Sequence, residues 1–138
     1  MGATLALDGL GMDSGGTNGA VLVVDDESDA RELLATCLEA RGCDVLTAAD
    51  GEEALDLLRA GSAVALVITD VMMPRLDGLS LCDRMREEPG LRTIPVVLVS
   101  ALFGRGQHDV ERDSVLGALG KPIDFEALFH MVRGVLRC

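Results

Sequence analysis

The sequence predicts an α/β domain, a five-stranded parallel sheet that is doubly wound, with helices on both faces. Two observations carry this. Apolar runs and segments of helical apolar spacing alternate five times along residues 20–138, and right-handed crossovers then place helices on both faces of the sheet. The first of the runs, Val21-Leu22-Val23-Val24, is apolar throughout rather than alternating, as a strand buried on both faces requires.

Asp25-Asp26 ends the first strand, and Ala30, Leu33, Leu34, Cys37 and Leu38 then recur at helical spacing up to the stop signal Gly42. Val45-Leu46-Thr47-Ala48 is the second strand. Asp50 and Glu53 form a capping-box pattern for a helix through Ala54, Leu55, Leu57 and Leu58, ended by Gly61. The third strand, Val64 to Thr69, ends at Asp70. A loop from Met72 to Gly78 leads to a helix with Leu79, Cys82 and Met85 inward, where Asp77 and Gly78 read as turn and helix-start residues. The fourth strand, Ile94 to Val99, ends at Ser100. A helix poor in apolar residues is expected around Gln107 to Leu116, then a short fifth strand, Ala118-Leu119-Gly120, before Lys121-Pro122. Asp124 caps the last helix, whose inner face is Phe125, Leu128, Phe129, Val132, Val135 and Leu136.

Residues 1–19 differ from the rest. Six of the 16 glycines precede Ala20, mixed with Ser, Thr and Asn, so a flexible Gly/Ser-rich tail is expected there and one domain over 20–138. The net charge of −11, with Lys121 the only lysine and no basic cluster, argues against a nucleic-acid surface. No basic n-region or long apolar run opens the chain, so neither secretion nor membrane insertion is expected and the location is read as cytoplasmic. The four cysteines show no Cys-x-x-Cys pair and are read as reduced.

In a doubly wound sheet the ligand site lies beyond the carboxyl ends of the strands. The residues there are Asp25, Asp26, Asp70, Ser100 and Lys121. Three carboxylates at one rim repel one another unless a divalent cation binds, and an all-oxygen set suits Mg²⁺. An ionised aspartate is nucleophilic without an adjacent base, which makes Asp70 a phosphoryl acceptor. The ammonium of Lys121, the hydroxyl of Ser100 and the cation would balance the charge that arrives. His108 and His130 lie away from the strand ends and read as surface or packing residues.

From Ala20 to Cys138 the chain resembles a response-regulator receiver domain. The resemblance rests on Val-Val-Asp-Asp-Glu at 23–27, Thr-Asp-Val-Met-Met-Pro at 69–74, Leu-Asp-Gly at 76–78, Val-Ser-Ala at 99–101 and Lys-Pro at 121–122. It implies a flavodoxin-like strand order 2-1-3-4-5 and phosphorylation of Asp70 by a sensor histidine kinase or phosphotransfer protein. It also implies Mg²⁺ on Asp26, Asp70 and the backbone carbonyl of Met72, with Asp25 acting mainly through water. Ser100 and Lys121 would contact the phosphoryl group, and the Lys121-Pro122 bond would be cis. Such a domain is no enzyme beyond assisting its own phosphorylation and dephosphorylation. No output domain is read after the last helix, so the chain is either a stand-alone receiver or a piece of a longer protein. If it stands alone, output is expected through a downstream protein partner at the family's usual docking face, formed by the fourth helix, fifth strand and fifth helix.

One departure stands out. Ala118 occupies the position three before the lysine where the family carries Tyr or Phe, and Asp113 to Leu116 replaces its Gly-Ala segment. An altered conformational switch is therefore expected. The competing reading is a pseudo-receiver, a protein-interaction module that no longer uses phosphorylation. A dehalogenase-type phosphatase needs Asp-x-Asp after the first strand, which Asp25-Asp26-Glu27 does not supply. A flavodoxin-like cofactor protein needs a phosphate cradle after the first strand, and none is present.

Overall fold

The computed structural model describes residues 19–104, 106–108, 110 and 112–137. The expected tail lies outside these residues apart from Gly19. Strand β1 (Ala20–Val24) is followed by α1 (Ser28–Ala40), β2 (Asp44–Ala48), α2 (Gly51–Arg59), β3 (Val64–Asp70), α3 (Gly78–Arg86) and β4 (Val96–Ser100). A two-residue strand, β5 (Gln107–His108), then precedes β6 (Val115–Gly120) and α4 (Phe125–Arg133). The sheet order is β2-β1-β3-β4-β6-β5. Its five parallel strands carry the expected order 2-1-3-4-5, with β6 as the fifth, while β5 adds an antiparallel edge.

The apolar runs divide their residues between two cores. Leu22, Val24, Val67 and Leu98 face α2 and α3 with Leu55, Leu81 and Met85. Val21, Val23, Ile68 and Val99 face α1 and α4 with Leu38, Leu128 and Val132. Each such side chain stabilises the fold by about 1.5–3 kcal/mol relative to exposure, which is why the strands tolerate no polar face.

The helix ends obey local chemistry. The Asp50 carboxylate accepts from Glu53 N–H at 2.9 Å, and Glu53 reaches back to Ala49 N–H at 2.7 Å, just before the cap. Asp77 accepts from Ser80 N–H at 2.8 Å, and Asp124 from Glu126 and Ala127 N–H.

Several expectations are corrected. Among the described residues of 107–116 none is helical: β5 stands at the start, and Val115 and Leu116 belong to β6. The segment has no apolar stripe to bury, and Gly106 (φ 98°) and Ser114 (φ 66°) take left-handed backbone that a helix excludes. In α3 the inward residue is Leu81, fully buried, whereas Leu79 is partly exposed. In α1, Leu33 is exposed. The last helix ends at Arg133, so Leu136 packs into the core from beyond it. Cys37 and Cys82 carry free thiols, and burial pushes the Cys82 thiol up to about 11. Cys43 is in a disulfide, contrary to the reduced state expected for all four, because pairing follows spatial approach rather than spacing.

Candidate functional site

The chain leaves β1 towards β2 on one side and reaches β3 on the other, so the loops after β1 and β3 part at this point and open a crevice. Asp25 follows β1, its N–H bonded to Ala48 O at 3.1 Å. Its Oδ1 accepts from Glu27 N–H at 2.9 Å, and its carbonyl accepts from Arg31 at 2.7 Å. Asp70 ends β3 and is buried. The chain turns immediately after it, with Val71 N–H on Val99 O at 2.9 Å and Gly78 N–H on Val71 O at 3.0 Å. Any Cβ at Gly78 would run into the Asp70 carbonyl oxygen. The first turn of α3 therefore rests directly on the backbone of the acceptor strand.

Lys121 directly follows β6, and its bond to Pro122 is cis, as the resemblance implies. Its Nζ lies 3.3 Å from Asp70 Oδ2 and 3.6 Å from Asp25 Oδ2. Asp26 is exposed, yet one carboxylate oxygen from each of Asp25, Asp26 and Asp70 lies within 4.8 Å of the others. Against these three acids stands one ammonium, so the cluster keeps excess negative charge and an all-oxygen donor set of the kind hard divalent cations take. The backbone of Met72, two residues past Asp70, favours the ionised form of the acceptor carboxylate. Ser100 is fully buried at the end of β4, with its Oγ accepting from Leu102 N–H at 3.1 Å. Its hydroxyl is thus directed along its own loop, while the acids and Lys121 meet directly.

Burial, helped by the charge of Asp25, raises the Asp70 carboxyl above its ordinary range despite Lys121 beside it. Burial lowers Lys121, but Asp25 and Asp70 outweigh it and hold the ammonium above its usual value. A raised carboxyl binds its proton more readily folded than unfolded, so Asp70 favours folding at low pH and disfavours it once ionised. Asp70→Asn is therefore expected to stabilise the metal-free protein at pH 7 by on the order of 1 kcal/mol. That advantage should shrink as pH falls through the raised folded-state titration of Asp70 towards the ordinary carboxylate range, measured by denaturant midpoints. An Asn variant no more stable than wild type at pH 7 contradicts the sign.

Three features are settled only by the structure. A cavity of about 250 Å³ opens over Asp70, walled by Asp25, Lys121, Leu33, Ile123 and Phe125; the only signal for it was an apolar residue on the outer face of α1. Phe103 packs against the core cluster that contains Ala118, so an aromatic ring reaches that side of the sheet from the β4–β6 connection rather than from β6. Gly120 touches that connection with no room for a side chain.

A family model described as "Response regulator receiver domain" matches residues 21–133. The chain is 42% identical over 120 residues to the response regulator PleD of Caulobacter vibrioides, covering 85% of this chain and 26% of that protein. It is 38% identical over 120 residues to a probable transcriptional regulator, ycf27, of Porphyridium aerugineum, covering 85% of this chain and 48% of that one. The chain thus spans about a quarter to a half of the length of these relatives. Among solved structures, the receiver domain of the hybrid histidine kinase CckA superposes with a TM-score of 0.69 at 38% identity, covering 84% of this chain and 97% of that one. The response regulator TrrA of Thermotoga maritima, solved in complex with Mg²⁺-BeF, gives 0.71 at 31% identity, with 84% and 97% covered. Among the described residues no helix is long and apolar enough to cross a membrane. With the family model matching residues 21–133, the chain belongs to the response regulator receiver domain family.

Proposed function

We propose that this receiver domain accepts a phosphoryl group on Asp70 and signals through protein contacts. The observation that carries the reading is Lys121 bridging Asp25 and Asp70 at the crevice, with Asp26 within ligand reach. In the transfer, a carboxylate oxygen of Asp70 forms a bond to phosphorus while the P–N bond of a phosphohistidine donor breaks and the imidazole leaves. Asp70 must be ionised to attack, and Lys121 favours that form, offsetting part of the opposing effect of burial. The negative phosphoryl oxygens then find the ammonium of Lys121 and, after a turn of its side chain, the Ser100 hydroxyl.

Asp26, Asp70 and the Met72 carbonyl would hold Mg²⁺, with Asp25 acting mainly through water. When bound, the ion neutralises the acids and polarises the phosphoryl oxygens. The relative TrrA, solved with Mg²⁺-BeF, supports this for a site of the same family. The donor is a sensor histidine kinase or phosphotransfer protein, the output a downstream protein partner, and the setting cytoplasmic. The domain is no enzyme beyond assisting the gain and loss of its own phosphoryl group.

Incubation with a small phosphodonor and Mg²⁺, read by intact mass, tests this. A phosphoryl adduct is expected on the wild type and none on Asp70→Asn. Absence of an adduct with every donor would refute the reading in favour of a phosphorylation-independent interaction module.

A further inference from the structure

We propose that Arg75 and the start of α2 clasp the connection between β3 and α3, and that this clasp sets how tightly the domain holds Mg²⁺. The inference rests on the Mg²⁺ reading above and adds to it positioning residues outside the acidic crevice.

The connection, residues 71–77, carries the Met72 carbonyl and is fixed at its two ends. Val71 is hydrogen-bonded to Val99 and Gly78, and Asp77 caps α3. Between these ends, among the described residues, 72–76 make no backbone–backbone hydrogen bond. A stretch without a ladder has many conformations open to it, so whatever holds it in one acts on the carbonyl it presents. Side-chain packing supplies part of the hold: Met73 and Leu76 lean on the core cluster beneath α2 and α3.

The rest comes from the start of α2. Gly51 is buried there, and a Cβ on it would stand 2.5 Å from Leu76 O and 2.8 Å from Leu76 Cβ. The connection therefore lies directly against the helix backbone. One residue earlier, Asp50 receives Arg75, whose guanidinium is 3.4 Å from Oδ2 and 3.5 Å from Oδ1. Asp50 is a firm post, because its Oδ1 also accepts from Glu53 N–H while Glu53 returns a bond to Ala49 N–H. Arg75 itself takes left-handed backbone, φ 67°, which an L side chain disfavours and which its surroundings must hold. A ligand already in place loses less freedom when the ion arrives, so a clasped Met72 carbonyl binds Mg²⁺ more tightly than a loose one.

Mg²⁺ titration of the full chain by isothermal calorimetry, with metal-free melting followed in parallel, tests the clasp. Arg75→Gly removes the guanidinium and keeps the backbone, since Gly takes a positive φ without steric cost. Its Mg²⁺ dissociation constant is expected to rise about threefold, the scale of an exposed ion pair, with metal-free melting little changed. The sign separates this from simple electrostatics, because losing a positive charge near an acidic crevice would by Coulomb attraction alone tighten the ion. Asp50→Asn keeps the helix cap, and combining it with Arg75→Gly preserves the net charge. That double variant should also bind about threefold more weakly, no worse than either single, because both changes remove one contact. Gly51→Ala, which drives Leu76 away, should weaken binding about tenfold. Wild-type or tighter Mg²⁺ binding by Arg75→Gly or by the double variant overturns the clasp and leaves the Mg²⁺ reading standing. A wild type that gives neither Mg²⁺ heat nor a Mg²⁺-dependent rise in melting overturns that reading, and the clasp with it.

Discussion

Replacing Lys121 by Met is expected to slow phosphoryl transfer to Asp70 by about 10²-fold, the usual cost of removing one preorganised donor from a site where negative charge develops. Met keeps much of the length and apolar stem of the lysine, so the cavity wall beside Ile123 and Phe125 survives. What disappears is the ammonium that lies 3.3 Å from Asp70 and 3.6 Å from Asp25. The same substitution removes a positive charge that competes with a divalent cation for those carboxylates. Mg²⁺ should therefore bind more tightly to Lys121→Met than to wild type, while the phosphoryl group arrives more slowly. Rates come from the growth of the phosphoryl adduct by intact mass, and affinity from Mg²⁺-dependent melting. A variant with wild-type transfer rate removes Lys121 from the charge balance.

Gly78→Ala is expected to lower stability by about 3 kcal/mol, although the added group is one methyl in the first turn of a helix. Helix propensity alone predicts the opposite, since Ala is better than Gly within a helix by about 1 kcal/mol. Contact geometry wins. The new Cβ would collide with the Asp70 carbonyl and stand 3.0 Å from Val71 Cα, and neither backbone atom can move without shifting the end of β3. Because that strand end carries the acceptor carboxylate, the variant should also lose most of its Mg²⁺-dependent rise in melting temperature. Denaturant midpoints with unchanged slope check the first part. A midpoint within about 0.5 kcal/mol of wild type would show that the α3 start adapts without disturbing Asp70.

The reach of sequence reasoning differed between the two halves of the sheet. From β1 to β4 it was legible nearly residue by residue, because apolar runs, Asp caps and glycine stops each act locally. The convergence of Asp25, Asp26, Asp70 and Lys121 was legible too. It follows from parallel strands, which bring their carboxyl ends to one rim whatever the loops do. Leu81 rather than the expected Leu79 turned inward because a nine-residue helix leaves its facing angle to the surface it meets.

Beyond Ser100 the local signals fell silent. Residues 101–114 hold too few apolar side chains for a helical stripe, and an expected helix gave way to a strand of two residues. Such a strand has no sequence signature of its own. It exists because β6 offers an open edge and Gly120 leaves room for the Gly104 backbone to cross it. The sequence by itself determined which residues gather at the rim, since that depends on strand polarity and hydrophobic period. Only the tertiary structure decided where Ser100 points, where Phe103 packs and what covers β6, because those depend on contacts between residues whose partners are far along the chain.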